Sequence, residues 1–384
     1  MQNAQNAQNA QNAQNAQNAR RALSLFLFVL PLVVTPAHAT PLVELYTMGP
    51  GDDLFSKFGH AALCVVDQDP PGRGRCYNYG TTDFSRPVAL AWDVVRARAK
   101  FWVSVSDRVS MLIAYQGQDR SIYRQVLPLT EEQVENLVEA LENDALPENR
   151  EYIYSHFLDN CSTRPRDLVD RAANGALRRS SEPSERTYRD YAREGLGALH
   201  WALVPAGDLI LGRWVDQDID TFAAMFIPEV LAEAVTDDLG VAPEVIYERR
   251  GPIVSGDRQV AAALVRFWIL VLALAALAWI SRWGAAFVIG VVALLGALVW
   301  AAAILSPWPE LRANELMLVF VPFDVVLLGS PRPRYVLVRL TMLGVVAIAA
   351  LIGVFVQPVW PYWTIAIAAI ASFWWRGRKD ILAP

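Results

Sequence analysis

The chain has 384 residues, of which 54% are hydrophobic, and a net charge of -5 at pH 7. It is too apolar for one soluble domain, while its charged middle excludes a membrane bundle alone. The negative balance argues against a nucleic-acid partner, because nucleic-acid-binding proteins normally carry a basic face or tail. We therefore expect two structural parts and a role that does not involve nucleic acid.

The first 39 residues have the pattern of a leader. Residues 1–19 repeat Gln-Asn-Ala without an apolar face, so this segment is not expected to fold. Two arginines then introduce the apolar run 23–34, which leads to Ala37-His38-Ala39. This order is typical of a secretory signal that is cleaved after Ala39, and a retained signal anchor is the alternative.

Export would place residues 41–258 in an oxidising compartment, where disulfides persist. Cys64 and Cys76 flank a turn rich in proline and glycine, so a hairpin would pair them across two strands. Cys161 is then left as an odd thiol. It is either a reactive group or a small buried residue of the core.

The exported part shows strands followed by helices. Alternating patterns predict strands at 43–46, 60–66, 75–80 and 120–127. A helix is expected to begin after the capping box Thr130-Glu131-Glu132-Gln133. This order of elements predicts the α+β class.

Cys161 lies where a second helix is expected to begin. Asn160 is a good helix-cap residue, and Pro165 is tolerated only in a first helical turn, so the helix should start between Cys161 and Thr163. The helix dipole and unpaired N–H groups at that end would favour a thiolate and could hold an oxyanion. Cys161 is therefore the expected nucleophile.

The expected pairing of the first two cysteines fixes the register of their strands. It places Ala62 opposite Asn78, so His60 and Asn78 should project from the same face. His60 is the expected proton carrier for Cys161, and Asn78 is the group that would orient its imidazole, unless Asn78 is only a turn or sheet-edge residue. Three neighbours are alternatives for the orienting group: Tyr77, Tyr79 and Asp83.

Other polar residues are weaker candidates. His156 and His200 are expected in core or surface positions, and the spacings of a zinc set or a phosphate loop are absent, so we expect no metal and no cofactor. Arg164 and Arg166 flank the thiol. They would either form ion pairs at the helix start or clamp a lipid phosphate.

The region 260–384 is expected to be a transmembrane domain of about five helices. Basic residues follow alternate apolar stretches, which favours five spans with a cytoplasmic C-terminus. The third stretch is short and contains Pro322 and Asp324, so it is either a span or a re-entrant piece. Asp324 and Glu315 are candidates to face a polar cavity or a lipid headgroup. The stretches are 262–280, 284–305, 316–328, 336–356 and 360–375.

Four motifs resemble the Lnb-type lipoprotein N-acyltransferase family: residues 46–52, 58–62, 77–80 and 159–167. The resemblance implies a permuted papain-like (NlpC-like) periplasmic domain followed by an all-α transmembrane bundle in the inner membrane. It also implies acyl transfer from a phospholipid, through a thioester on Cys161, to the N-terminal amine of a diacylglyceryl lipoprotein.

Two other functions stay open from the sequence. A membrane-anchored cysteine peptidase or amidase acting on cell-wall peptides would use the same thiol and histidine. A non-catalytic membrane scaffold would carry Cys161 as an inert residue. Residues 177–258 match no pattern of the family, so their role is not predicted.

Overall fold

The computed structural model describes residues 2–26, 40–53, 56–68, 72–252, 256–329 and 332–382. The chain forms two compact units, Met1–Ala39 and Thr40–Pro384. The first unit contains helix α1 (Gln2–Phe26). The expectation that the Gln-Asn-Ala repeat has no structure is wrong, because alanine and glutamine favour a helix, which satisfies its backbone hydrogen bonds locally without a core. Residues 27–39, with the expected cleavage site, lie outside the described residues.

The second unit is built on a seven-stranded antiparallel sheet with the order β6-β4-β3-β2-β1-β5-β7. The four expected strands are present as β1, β2, β3 and β5, and the patterns given above did not include β4, β6 and β7. The strands are β1 (Leu42–Met48), β2 (His60–Val66), β3 (Gly74–Thr81), β4 (Lys100–Asp107), β5 (Ile122–Val126), β6 (Glu151–Ile153) and β7 (Glu244–Tyr247).

Helices cover both faces of this sheet. They are α2 (Pro87–Val95), α3 (Arg108–Gly117), α4 (Glu131–Asp144), α5 (Thr163–Ala172), α6 (Ala176–Arg179), α7 (Tyr188–Leu199), α8 (Leu203–Ile210), α9 (Thr221–Ala224) and α10 (Pro228–Leu239). The main core joins one face of the sheet to α4, α5 and α10, and Met111 of α3 packs on the other face. The predicted capping box of α4 is present at Thr130. The α+β class is therefore confirmed for this part of the chain.

The hairpin of β2 and β3 has the expected register. Cys64 and Cys76 form a disulfide with their Cα atoms 4.0 Å apart, and Ala62 lies opposite Asn78. Both sulfurs are buried on the face of the sheet that α3 covers. The disulfide therefore fixes the strand pair that carries His60 and Asn78.

The C-terminal region is helical. Three helices of the described chain are long and apolar enough to cross a membrane: Arg258–Ile280, Arg282–Leu305 and Pro333–Leu351. The elements are α11 (Gly256–Ile280), α12 (Arg282–Leu305), α13 (Pro309–Arg312), α14 (Leu316–Val319), a 3-10 helix (Pro322–Leu328), α15 (Pro333–Leu351) and α16 (Trp360–Leu382). The expected number of five membrane crossings stays a prediction.

The third apolar stretch is not a continuous helix, because it is divided between α14 and the 3-10 helix. Side chains of neighbouring helices bind the carbonyls that the break leaves unpaired. Arg339 of α15 donates to the carbonyls of Leu318 and Val319 at 3.2 and 2.8 Å, and Trp300 of α12 donates to that of Met317 at 3.0 Å. A broken helix is tolerated at membrane depth when other protein groups satisfy its backbone in this way.

Both ends of the C-terminal bundle can be identified from its contacts. Trp308, just after α12, donates its indole N–H to the carbonyl of Val94 at 2.7 Å, and Tyr362 donates to the carbonyl of Pro205 at 2.6 Å. At the other end, Arg376 of α16 donates to the carbonyls of Ala278 and Trp279. The starts of α11 and α16 and the end of α12 therefore lie on the side of the sheet domain.

A buried polar junction joins the two parts of this unit. Asn314 donates to the carbonyls of Leu209 and Ile210 at 2.9 and 3.0 Å, and Gln357 donates to that of Leu211 at 2.8 Å. Glu315 accepts hydrogen bonds from the backbone of 356 and 357. The carbonyls at the C-terminal end of α8, which a helix leaves unpaired, are therefore satisfied by side chains of the C-terminal region.

Candidate functional site

Cys161 lies just before helix α5, as expected. The helix begins at Thr163, with Pro165 in its first turn. The side-chain oxygen of Asn160 accepts hydrogen bonds from the N–H groups of Ser162 and Thr163 at 2.8 and 2.9 Å. Its amide nitrogen donates to backbone carbonyls of 156 and 226. The N–H groups expected to hold an oxyanion are thus already bound to Asn160, which corrects that part of the prediction.

The thiol of Cys161 is held against strand β2. The backbone N–H of Ala61, its own N–H and the charge of Arg120 lie close enough to the sulfur to favour the thiolate. Burial outweighs these effects and raises the pKa of Cys161 to about 11. The helix end was expected to favour the thiolate, and desolvation outweighs the groups that favour it here.

Gly80, near the end of strand β3, supports the other side of Cys161. Its backbone has a φ of 88°, and a Cβ atom at this position would lie 3.2 Å from the Cβ of Cys161. A side chain here would be strained by the backbone conformation and would crowd the thiol. The close approach of β3 to Cys161 therefore requires glycine.

His60 and Asn78 form a hydrogen-bonded pair, as the strand register predicts. His60 Nε2 lies 3.3 Å from Asn78 Oδ1. The amide nitrogen of Asn78 donates to the carbonyl of Cys76 at 3.2 Å and to Ser106 Oγ at 3.1 Å, which fixes the orientation of the amide. Because Oδ1 can only accept, Nε2 of a neutral His60 carries the proton and Nδ1 is available as a base.

The His60 ring is neutral at rest. Burial and the nearby charge of Arg120 lower its pKa to about 4, although the hydrogen bond with Asn78 acts in the opposite direction. The next residue in β2, Ala61, is the one whose N–H favours the thiolate of Cys161. The structure therefore places the His60–Asn78 pair and Cys161 close to the start of β2, with a half-buried neutral thiol and a half-buried neutral imidazole.

Two residues of this site escaped the sequence analysis. Tyr115 of α3 stacks on His60, with ring centroids 5.7 Å apart, and the Arg120 guanidinium lies 4.9 Å from the centroid of Tyr115. Arg120 is buried, and among the described residues its hydrogen-bond acceptors are the carbonyls of Met48 and Gly49. No carboxylate is among these acceptors, so the charge of Arg120 acts on Cys161 and His60 without being neutralised by them. In the sequence, the only indication of the role of Arg120 was its position before an apolar strand.

The two arginines beside the thiol are engaged inside the protein. Arg164 makes two hydrogen bonds with Asp159, at 2.6 and 2.9 Å, and lies 3.7 Å from the ring centroid of Tyr152. Arg166 donates to the carbonyl of Phe222 at 2.9 Å. These contacts favour the ion-paired alternative over a clamp on a lipid phosphate.

The predicted substrate contact at Asp324 lies elsewhere in the chain. Asp324 is fully buried among the C-terminal helices and pairs with Arg339 at 2.7 Å and with Tyr335 at 2.8 Å. It holds Arg339 in place beside the broken helix, and the structure does not bring it together with Cys161. Glu315 lies in the polar junction instead of facing a headgroup.

The remaining histidines occupy supporting positions. His156 is packed between aromatic rings, with centroids 4.4 Å from Phe58 and 5.7 Å from Phe226. His200 accepts a hydrogen bond from the N–H of Ala202. Within the described ranges, no group of three or more His, Cys, Asp or Glu side chains is arranged to hold a metal ion.

A sheet domain with a half-buried cysteine and histidine and a buried asparagine, continued by apolar helices, defines a membrane protein with a candidate thiol site. Residues 36–194 match the family described as the Lnb N-terminal periplasmic domain, and the four motifs of the resemblance lie within this range. The matched range contains His60, Asn78 and Cys161 and ends within α7. No curated protein and no solved structure matches the chain. The family resemblance is confirmed, and the chain is an inner-membrane protein with a periplasmic N-terminal domain.

Proposed function

We propose that the chain is a lipoprotein N-acyltransferase. Cys161 takes an acyl chain from a membrane phospholipid and passes it to the N-terminal amine of a diacylglyceryl lipoprotein. The observation that carries this proposal is the arrangement of Cys161, His60 and Asn78 within an Lnb-family domain joined to apolar helices. Both substrates are held in a bilayer by their acyl chains. The helical region would therefore take part in bringing them to the sheet domain.

The acylation half-reaction begins with proton transfer from the Cys161 thiol to Nδ1 of His60. The sulfur attacks the ester carbonyl of the phospholipid, and the resulting intermediate expels the lysophospholipid alkoxide. His60 returns the proton to that oxygen, so a neutral lysophospholipid leaves and a thioester remains on Cys161. Asn78 keeps the imidazole in the tautomer that this step requires.

In the second half-reaction, the amine of the lipoprotein attacks the thioester carbonyl. His60 takes the proton from the amine as the amide bond forms, and the Cys161 thiolate that leaves recovers the proton. The products are an N-acylated lipoprotein and the original thiol. No cofactor takes part in either half-reaction.

The charge of Arg120 supports this chemistry. The resting site is a neutral pair, so charge develops only when the proton moves. A buried cation favours the thiolate and the oxyanion in a site where solvent screening is weak. The N–H of Ala61, which favours the thiolate, adds a fixed dipole of the backbone.

The proposed topology has residues 41–258 in the periplasm and a membrane domain at 260–384 that crosses the inner membrane five times. The contact of Arg376 with the carbonyls of Ala278 and Trp279 supports it, because the C-terminal basic residues then share one end of the bundle with Arg282. Basic residues at one end of a bundle are expected in the cytoplasm. The C-terminus would therefore be cytoplasmic.

Mass spectrometry of lipoprotein N-terminal peptides tests the proposal. Cys161→Ser and His60→Ala should each reduce N-acylation by about 10⁴-fold at matched membrane levels, since one removes the nucleophile and the other its base. His200→Ala, at a histidine remote in sequence from both motifs, is the matched control and should acylate normally. Triacylated lipoprotein at normal levels in the Cys161→Ser strain would refute the mechanism, and cleavage of soluble murein peptides by the wild-type protein would favour a peptidase.

A further inference from the structure

The outer face of helix α2 carries exposed apolar side chains. Phe84, Val88 and Trp92 are spaced four residues apart and are 46%, 83% and 48% exposed. Val88 and Trp92 share one face of α2, and Phe84 lies in the turn before the helix. These three residues are called the row below. The opposite side of α2 is already packed, with Leu90 buried in the core of the sheet domain. The exposed row is therefore additional apolar surface and not part of the core.

The position of α2 links this row to the membrane region. The carbonyl of Val94, at the end of α2, accepts a hydrogen bond at 2.7 Å from Trp308. Trp308 follows α12, one of the helices able to cross a membrane, by three residues. Tryptophan with its indole N–H satisfied is typical of the boundary between hydrocarbon and headgroups. The end of α2 thus lies beside the end of α12.

Three arginines and two aspartates, Asp83 and Asp93, lie within or beside α2, so the segment has an excess of basic residues. Arg86 and Arg98, on either side of α2, are exposed, and Arg96 lies 5.8 Å from the ring centroid of Trp92. Cationic groups beside an apolar helix face are the composition that binds anionic lipid headgroups. A soluble protein partner would not require this face to be beside the end of a membrane-spanning helix.

From these observations we infer that α2 is an interfacial helix, whose row Phe84, Val88 and Trp92 inserts into the periplasmic leaflet. The row also lies close to the thiol site. Gly80 contacts Cys161, and Phe84 follows Gly80 by four residues, so the chain between them spans at most about 14 Å. Resting on the proposed function, the inference assigns to α2 the surface across which a phospholipid ester leaves the leaflet towards Cys161.

A spin label measures whether this surface is in lipid. Full-length Val88→Cys in a Cys161→Ser background is labelled without reductant, which leaves the Cys64–Cys76 disulfide intact, and is placed in nanodiscs of phosphatidylethanolamine and phosphatidylglycerol. Val109→Cys is the matched control, because Val109 is also 51% exposed but begins α3 at the far end of the sheet. The ratio of oxygen to nickel-chelate accessibility should be about tenfold higher at 88 than at 109.

Equal ratios at the two positions would overturn the inference. Spin–spin broadening at position 88 that disappears on dilution with unlabelled protein would also overturn it, because it would identify a second copy of the chain as the partner of this surface. These readings do not depend on acyl transfer, so they decide the surface even if the proposed function fails.

A second measurement connects the surface to the reaction. Val88→Glu should slow formation of the Cys161 thioester from bilayer phospholipid about tenfold, and Val109→Glu should leave it unchanged. With a short-chain phospholipid dispersed in detergent, Val88→Glu and the wild type should react equally. An equal loss with both substrates would show that the substitution damages the site and would overturn the role of α2 in delivering lipid.

Discussion

The reactivity of Cys161 should increase tenfold with each pH unit from 7 to 10. The structure places the pKa of this thiol at about 11, against 9.0 for an ordinary cysteine. At pH 8 about one molecule in a thousand then carries the thiolate, compared with about one in ten for an ordinary cysteine. Because the thiolate is the species that reacts, alkylation of Cys161 at pH 8 should be about 100-fold slower than in the unfolded chain.

The assay is iodoacetamide alkylation of the full-length protein in nanodiscs, quenched at intervals and quantified on the Cys161 peptide by mass spectrometry. The same protein in denaturant supplies the reference rate. Slow access to a half-buried sulfur would lower the rate at every pH equally, whereas a raised pKa also changes the slope. The slope of log rate against pH therefore separates the two causes.

Arg120→Gln should move both groups of the site in a stated direction. Loss of the cation raises the pKa of Cys161 further and also raises that of His60, because the same charge favours the thiolate and disfavours the imidazolium. Alkylation at pH 9 should therefore be slower than in the wild type. A wild-type rate that is independent of pH between 6 and 8 would show a thiolate–imidazolium pair at rest and would refute the neutral-pair reasoning.

Three further predictions concern stability. Arg339→Met should destabilise the protein in nanodiscs by about 3–5 kcal/mol because it leaves the Asp324 carboxylate buried without its cation, with only the hydrogen bond from Tyr335. The double change with Asp324→Leu should recover most of this in thermal unfolding. Gly80→Ala should cost about 1–2 kcal/mol from its φ alone and slow alkylation of Cys161, whereas unchanged values in both assays would contradict the close approach. Burial lowers the pKa of His60 in the folded protein to about 4, against 6.5 when unfolded, so its contribution to stability is complete above pH 6.5 and is lost as pH falls towards 4. Because the pKa of His156 is also lowered to about 4, His60→Gln should reduce the fall of the melting temperature over this range without abolishing it, and an unaltered profile would contradict the shift.

The predictable parts of the site depend on neighbours in sequence. The turn between β2 and β3 is local, so the pairing of Cys64 with Cys76 and the register that brings Asn78 to His60 could be inferred from spacing alone. The start of α5 followed from Asn160 and Pro165 in the same way. Constraints of this kind depend on a few consecutive residues and can therefore be inferred from the sequence.

The parts that were missed depend on distant residues. Arg120 reaches the site because β5 pairs with β1, whose terminal carbonyls hold the guanidinium, and no periodic pattern reports that contact. The break in the third apolar stretch likewise depends on Arg339, whose hydrogen bonds replace those of a continuous helix. The raised pKa of Cys161 has the same origin, because burial by the whole domain outweighs the local effect of the helix start.

The polar junction around Asn314, Glu315 and Gln357 has a mechanical consequence. Side chains from two loops of the helical region hold the carbonyl end of α8, so the sheet domain cannot tilt or rise without breaking several buried hydrogen bonds at once. The height of Cys161 above the bundle is therefore a fixed dimension of the molecule. In bilayers of different thickness, the lipid must deform to meet the thiol, since the protein keeps its length.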